Sequence, residues 1–350
     1  MYRRLEPGIG VLAFLGGFLW DTLTLTRVDR LLDNLILLAY LVALAVSLVL
    51  HHRAALFPAE WPRLSLRRPL LDFAARWFFG GLSSAYVVLY FKSASTVPSL
   101  LFVALLAAFM LVHELRPAAR ARTRVAFFCL CAFSFLLFFL PVVTGYLGPV
   151  VFPAAAALAL TGAVGVGFAM ERRARSTRAI LRRHLAASAA VLVPLFVLDR
   201  LEMIPPIPLA LLQRGVYHDV TRTDAGYEVR YEPAPWPSWR REDRVFHLRE
   251  GGAAFCFTAV FAPRGTAVGI VHVWEWEDPD AGWATSDRIP FEVEGGRGGG
   301  YRGYTSKRAL RPGAWRVRVL TEVGRELGRC EFTAVAEEGA PVGWATRVIE

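Results

Sequence analysis

Val191-Leu192-Val193-Pro194-Leu195-Phe196-Val197-Leu198-Asp199-Arg200 runs through Leu201-Glu202 into Met203-Ile204-Pro205-Pro206-Ile207-Pro208, and there one kind of sequence gives way to another. Upstream, apolar residues come in long blocks. The proline cluster cannot continue a helix, and beyond it the apolar residues alternate with charged ones. Tyr227, Val229 and Tyr231 alternate with Glu228, Arg230 and Glu232; Ile289, Phe291 and Val293 with Glu292 and Glu294; Trp315, Val317 and Val319 with Arg316 and Arg318. A period of two marks a strand with one buried face. Further strands are predicted over 244–249, 253–262, 266–276, 301–306 and 326–335, separated by Gly, Pro and Asp. Many short strands without a helical stretch read as an all-β immunoglobulin-like sandwich.

The upstream blocks reach, or nearly reach, the 20 or so apolar residues that a membrane-crossing helix needs. They lie at about 8–25, 31–50, 73–91, 97–115, 125–147, 149–170 and 184–204, so about seven transmembrane helices are expected. The first follows Arg3 and Arg4 like a signal peptide, but Asp21-Thr22-Leu23 stands where a small-x-small cleavage site belongs, so it reads as an uncleaved helix. Over 350 residues the chain is 55% hydrophobic with a net charge of +10, and its mean hydropathy of +0.38 exceeds what a soluble domain requires. The expected organisation is a polytopic helical domain over 1–204, a linker over 205–225 and a β-sandwich over 226–350.

The basic excess is one-sided. Residues 1–200 hold 21 Lys+Arg against 9 Asp+Glu, and residues 201–350 hold 19 against 21. Taking alternate loops of the helical part, one set contains 17 basic residues, among them Arg63, Arg67, Arg68 and the run Arg172 to Arg183, while the other contains only Arg27, Arg30 and Lys92. Loops rich in arginine stay in the cytoplasm. The N-terminus is therefore predicted to be cytoplasmic, and seven spans carry the C-terminal domain to the far side of a bacterial inner membrane, into the periplasm. The same distribution argues against nucleic acid as the reason for the high isoelectric point and leaves the lipid bilayer as the expected partner.

Ionisable groups at membrane depth are functional candidates by default. Asp21, Arg27, Asp29, Lys92, Asp199 and Arg200 all fall near the predicted outer face, where they form either a rim of ion pairs or a site for a lipid headgroup or lipid-linked substrate. Near the inner face, His51/His52 and His113/Glu114 flank helix ends, but adjacent residues point apart on a helix, which is poor spacing for a metal; neither a metal nor a cofactor is expected. Ala155, Ala159, Ala163 and Gly167 recur every four positions, as in helices that approach closely. The segment 54–76, with Phe57, Trp61, Leu64, Leu66, Leu70 and Leu71 among arginines, fits either a helix lying on the inner membrane surface or an ordinary loop. The predicted last span lacks a lysine, which argues against a retinal-type bundle.

Seven of the ten tryptophans lie in the tail. Trp274 and Trp276 share a face of one predicted strand, and Trp236 and Trp239 sit in a proline-flanked loop; all four are candidate binding aromatics, with burial as the alternative for the strand pair. Cys256 and Cys330 are a candidate disulfide in an oxidising compartment. Strand parity opposes it, because Phe255, Phe257 and Phe261 are expected to face inward and so to turn Cys256 away. Cys129 and Cys131 read as packing residues within a span. Glu294-Gly295-Gly296-Arg297-Gly298-Gly299-Gly300-Tyr301 lacks the Gly-Lys-Ser/Thr of a phosphate loop and reads as a strand connection.

Several stretches carry a family resemblance: Phe14-Leu15-Gly16-Gly17-Phe18-Leu19-Trp20-Asp21-Thr22-Leu23-Thr24-Leu25-Thr26-Arg27-Val28-Asp29, Phe78-Phe79-Gly80-Gly81-Leu82-Ser83-Ser84-Ala85, Tyr90-Phe91-Lys92-Ser93-Ala94-Ser95, Val271-His272-Val273-Trp274, Tyr304-Thr305-Ser306-Lys307 and Gly313-Ala314-Trp315-Arg316-Val317. Together they resemble bacterial multi-pass membrane proteins of unknown function with a C-terminal extracytoplasmic domain of unknown function. The resemblance implies the two-part architecture and an envelope setting, and it brings no catalytic residues. No Gly-x-Ser-x-Gly, His-Glu-x-x-His, Walker loop or Cys-x-x-Cys occurs. The leading expectation is a non-enzymatic protein whose sandwich binds an envelope glycan or protein. The alternative is a membrane enzyme or transporter acting on a lipid-linked substrate at the outer face.

Overall fold

The computed structural model describes residues 30–115, 120–173, 175–233, 241–249, 251–336 and 343–349. The chain divides into two compact units, Met1–Pro208 and Leu209–Glu350. Among the described residues the first unit contains seven helices: α1 (Leu31–Leu56), α2 (Pro62–Leu66), α3 (Arg68–Ser93), α4 (Val97–Leu115), α5 (Ala121–Thr144), α6 (Val151–Glu171) and α7 (Thr177–Arg200). Four of these, α1, α5, α6 and α7, are long and apolar enough to cross a membrane.

The seven expected spans are thus only partly seen. The span over 8–25 lies outside the described residues. Those over 73–91 and 97–115 form α3 and α4, which are not among the four. α4 runs over 19 residues, Val97–Leu115, about 28 Å at 1.5 Å per residue, close to the hydrocarbon core of about 30 Å. In α3, Asp72, Arg76 and Lys92 stand together with Gly80, Gly81, Ser83 and Ser84, which lowers its hydropathy. Local chemistry sets the helix ends. Ser176 caps α7, its Oγ accepting from the Ala179 N–H at 3.4 Å. Gly145, with φ 68°, ends α5 while its N–H donates to the Pro141 carbonyl at 2.9 Å.

α5 lies in the middle of the apolar core, with Val125, Cys129, Cys131 and Phe133 wholly buried. The small-residue stripe of α6 is enclosed too: Ala155, Ala159 and Ala163 are 0% exposed. At its last member, Gly167, the His184 ring of α7 fills the space a side chain would occupy. A Cβ there would lie 2.5 Å from two ring carbons.

The second unit is all-β: β1 (Ala210–Tyr217), β2 (Asp219–Thr223), β3 (Gly226–Tyr231), β4 (Val245–Leu248), β5 (Ala253–Phe261), β6 (Ala267–Asp278), β7 (Gly282–Glu294), β8 (Tyr301–Arg308), β9 (Gly313–Thr321), β10 (Glu326–Ala336) and β11 (Ala345–Ile349). Three sheets form, ordered β1-β5-β8, β4-β10-β9-β6-β7 and β11-β3-β2. One face of β5 places Ala254 and Cys256 in a core with Val216, Trp274, Trp315 and Phe332. Its other face places Phe257 and Ala259 in a second core with Val220, Val229, Tyr231 and Ile349. The β1-β5-β8 sheet is therefore a middle layer, and a third small sheet is added to the sandwich that the alternation predicts.

The expected linker over 205–225 is corrected by β1 and β2, which pair with β5 and β3. The register of β1 shifts between Leu211 and Gln213, so its apolar residues do not alternate and give no strand signal.

Gly167 offers a direct check on the α6–α7 contact. Gly167→Ala is expected to destabilise the helical unit by about 1–3 kcal/mol through overpacking against His184. Gly162→Ala and Gly165→Ala, where an added Cβ meets nothing within 4 Å, are expected to be neutral or stabilising. Thermal unfolding of the purified full chain in detergent reads the difference.

Candidate functional site

Few of the residues singled out by sequence are brought together. Asp21, Arg27, Asp29, Trp236 and Trp239 lie outside the described residues. Lys92 is exposed in the last turn of α3. Asp199 and Arg200 end α7, where the Arg200 guanidinium sits 4.9 Å from the Phe196 ring centre. Among the described residues no group of three or more His, Cys, Asp or Glu is placed to hold a metal ion.

Trp274 is not a binding aromatic. It is 0% exposed, because β6 lies inside its sheet, between β9 and β7, with this face turned toward the middle layer. Burial pushes the neighbouring His272 imidazole down to about 3, so the ring is neutral and spans two hydroxyls. Its Nε2 is 3.0 Å from Thr258 Oγ1 and its Nδ1 2.9 Å from Thr305 Oγ1, while Trp274 Nε1 donates to Thr305 Oγ1 at 3.0 Å. This is a satisfied core network. Trp276 is half-buried, its Nε1 donating to the Pro312 carbonyl at 3.3 Å beneath Arg311.

The parity objection to Cys256–Cys330 is overturned. β5 is buried on both faces, and the two sulfurs meet in the interior at 3.7 Å as free thiols. The glycine run from 295 to 300 joins β7 to β8. Gly295 N–H donates to the Thr266 carbonyl at 2.8 Å, Gly296 N–H to that of Ala262 at 3.0 Å and Gly300 N–H to that of Arg297 at 3.1 Å, so both ends of the run are tied into the strand connection.

Two constellations were not legible as such. In the helical unit, contacts gather the ends of α1, α3, α5, α6 and α7 that carry the arginines. Glu171, 2% exposed, lies 3.2 Å from Arg175, 3.5 Å from Arg183, 3.7 Å from His184 and 3.9 Å from His52. Asp72 pairs with Arg124 at 2.7 Å and Arg76 at 2.9 Å. Arg173 pairs with Glu60, and Arg53 Nε donates to the Ala169 carbonyl at 2.8 Å. Each buried charge is thereby compensated.

In the β unit, a polar cluster lies beneath Trp344. Glu232 bridges two histidines, His247 through one oxygen and His218 through the other at 3.3 Å, with Arg249 at 3.6 Å. The Glu232 N–H donates to Asp243 Oδ1 at 2.7 Å. His218 stacks on Phe246 at 3.8 Å and meets Trp344 edge-on at 4.7 Å. Trp344 is 38% exposed, and the guanidinium groups of Arg249 and Arg230 lie 3.9 and 5.0 Å from its ring centre. The result is an outward-facing indole held between cations above a buried carboxylate pair, an arrangement suited to recognition, since tryptophan and arginine on a rigid base make strong contact points. Burial pushes the Asp243 carboxyl up to about 8, helped by the neighbouring Glu232 and Glu242 charges. His218 is pushed down to about 3 by burial, then by Arg249, His247 and Arg230. Sequence placed Glu232 on an outward face by alternation with Tyr231, yet it is 7% exposed; β3 ends at Tyr231, so period two no longer governs it. With Trp344 the cluster draws on four separate segments, around 218, 232, 243–249 and 344, and no spacing announces them.

A family described as "Protein of unknown function (DUF2914)" matches residues 269–334. No curated protein matches the chain. Among solved structures, an immunoglobulin-like protein from Pseudomonas aeruginosa is 11% identical, with 36% of this chain and 96% of that one covered and a TM-score of 0.22. An alkylpurine DNA glycosylase from Pseudomonas fluorescens, bound to DNA containing an abasic site analogue, is 11% identical, with 89% and 100% covered and a TM-score of 0.23.

Because the folded state keeps the Asp243 proton, this group stabilises the β unit fully below its ordinary value of 3.8, and that stabilisation is lost as pH rises through about 8. Asp243→Asn, which retains the Oδ1 acceptor, is expected to remove this loss. Its melting temperature relative to the parent should rise steadily from pH 5 to pH 8, as followed by thermal unfolding of the full chain.

Proposed function

We propose that this chain is an integral protein of a bacterial inner membrane that holds its β unit in the periplasm, where the Trp344 platform binds an envelope glycan or protein. The observation that carries the reading is Trp344 itself, exposed beside Arg249 and Arg230 and set edge-on to the His218 ring. Stacking on a sugar face and anchoring a protein side chain both use an indole in this way. An arginine pair beside it favours an acidic partner.

The membrane part of the reading is supported by four helices of sufficient length and apolarity. Orientation is supported by the arginine distribution: the basic loops converge on one end of the helical unit through the Glu171 and Asp72 contacts, and positive loops are retained in the cytoplasm. The adjoining Cys256 and Cys330 thiols provide a reporter of compartment, since an oxidising one permits a bridge.

Three outcomes test this reading. Protease added to intact spheroplasts should cleave the β unit, and cleavage only after lysis would refute periplasmic presentation. Alkylation of the unreduced protein should spare Cys256 and Cys330 until reductant is added. Trp344→Ala should weaken capture of the full chain by peptidoglycan sacculi or envelope extract at least about tenfold, roughly 1.4 kcal/mol, with the β-sheet circular dichroism of the chain retained. Unchanged capture would remove the platform from the account.

A further inference from the structure

The arginines at one end of the helical unit fall into two classes. Arg76 and Arg124 are neutralised by Asp72, Arg173 by Glu60, and Arg175 and Arg183 by Glu171. Arg63 and Arg67, around α2, and Arg68, at the start of α3, are exposed and have no acidic partner among the described residues. The two acids of this segment, Glu60 and Asp72, are already taken.

The same segment shows an apolar stripe to the outside. Leu66 is 85% exposed, Leu70 62%, Phe73 60% and Trp77 60%. Leu70, Phe73 and Trp77 follow i, i+3 and i+7 spacing on α3, which puts them on one face, and the Phe73 and Trp77 rings lie 6.2 Å apart. Arg63 and Arg67 stand within four positions of Leu66 and Leu70, so their aliphatic stems can run beside the stripe while the charged heads reach beyond it. Water is a poor solvent for four large exposed apolar groups in a row. Three uncompensated cations beside them need an anion. An acyl chain with a phosphate at its head meets both demands at once.

We propose that α2 and the first turns of α3 form a binding site for an anionic phospholipid, with Leu66, Leu70, Phe73 and Trp77 against the acyl region and Arg63, Arg67 and Arg68 on the headgroup phosphate. This rests on the reading of the helical unit as membrane-embedded. Cationic side chains at the interface favour an anionic leaflet by about 1 kcal/mol each, and an apolar face of Leu, Phe and Trp supplies the insertion. An acidic protein would satisfy the arginines but not the stripe, and a zwitterionic lipid the stripe but not the charge.

The test uses the purified full chain in neutral detergent, titrated with phosphatidylglycerol or phosphatidylcholine of the same acyl composition, with native mass spectrometry reading the lipid retained. The parent is expected to hold phosphatidylglycerol at least about tenfold more tightly, a modest fraction of what three interfacial cations allow. R63Q/R67Q/R68Q should reduce that preference to within about twofold, while R120Q/R122Q/R178Q, which removes equal charge from the same end, should keep it. L70S/W77S should lower retention of both lipids and leave their ratio. Equal retention of the two lipids by the parent, or equal loss of preference in both arginine triples, would overturn the site. Displacement of phosphatidylglycerol by 10 mM inorganic phosphate would also overturn it, by showing a site for free anions. Carbonate extraction of cell membranes tests the underlying reading separately: a chain released by carbonate is not embedded, whatever lipids it binds.

Discussion

A helix that is apolar on every side has no preferred direction of burial, so hydrophobicity alone cannot choose which faces of α1, α5, α6 and α7 meet. Close backbone approach makes that choice. The stripe Ala155, Ala159, Ala163 and Gly167 lets α6 come near its neighbours, and the room left by Gly167 is taken by His184. His184 then stands beside Glu171 at 3.7 Å, and Glu171 in turn draws in Arg175, Arg183 and His52. One missing Cβ thus sets the position of a buried carboxylate and fixes the end of three helices.

The β unit solves a different problem. Its longest strands carry charge on one face and bulk on the other, and this suits a sheet covered on one side. β5 departs from that pattern, with Cys256 and Phe257 both wholly buried on opposite faces. A strand enclosed on two sides must be apolar throughout, and Ala253-Ala254-Phe255-Cys256-Phe257-Thr258-Ala259-Val260-Phe261 is so except at Thr258. Thr258 meets its hydrogen-bonding need with His272, and the neutral imidazole passes the connection to Thr305 and Trp274. Both cores therefore hang on one strand.

Charge is handled according to depth. Covered acids hold several cations each, as at the buried Glu171 and the half-buried Asp72. On the outer face of the five-stranded sheet a ladder runs from Glu275, 6% exposed, through Arg316 and Arg318 to Glu326 and Arg329, so its acids are covered by the arginines they pair with and its outer end is open to water. Between these extremes lie the groups with functional promise: Trp344 between two arginines, and Arg63, Arg67 and Arg68 beside an apolar stripe. In both places aromatic surface and positive charge are left open together.

What the sequence determined by itself was the division of the chain and most of its elements, because the helix and strand periods are local and survive any packing. Four apolar spans, the run of strands from β3 to β10 and the one-sided arginines follow from composition within a window. The linker reading failed where β1 carries a register shift and loses its alternation. The cysteine parity failed because one-sided burial was assumed for a strand covered on both faces, and Glu232 was placed outward because the alternation was carried one residue past the end of β3. Trp274 and Trp276 share a face in sequence, yet one is core and the other only partly covered, since what lies opposite a residue is not encoded beside it. The cluster of His218, Glu232, Asp243, His247 and Trp344 exists only after distant segments pair. Local order is written in neighbouring residues; which charges and rings converge is decided by contacts between segments far apart in the chain, and only the tertiary structure supplies those.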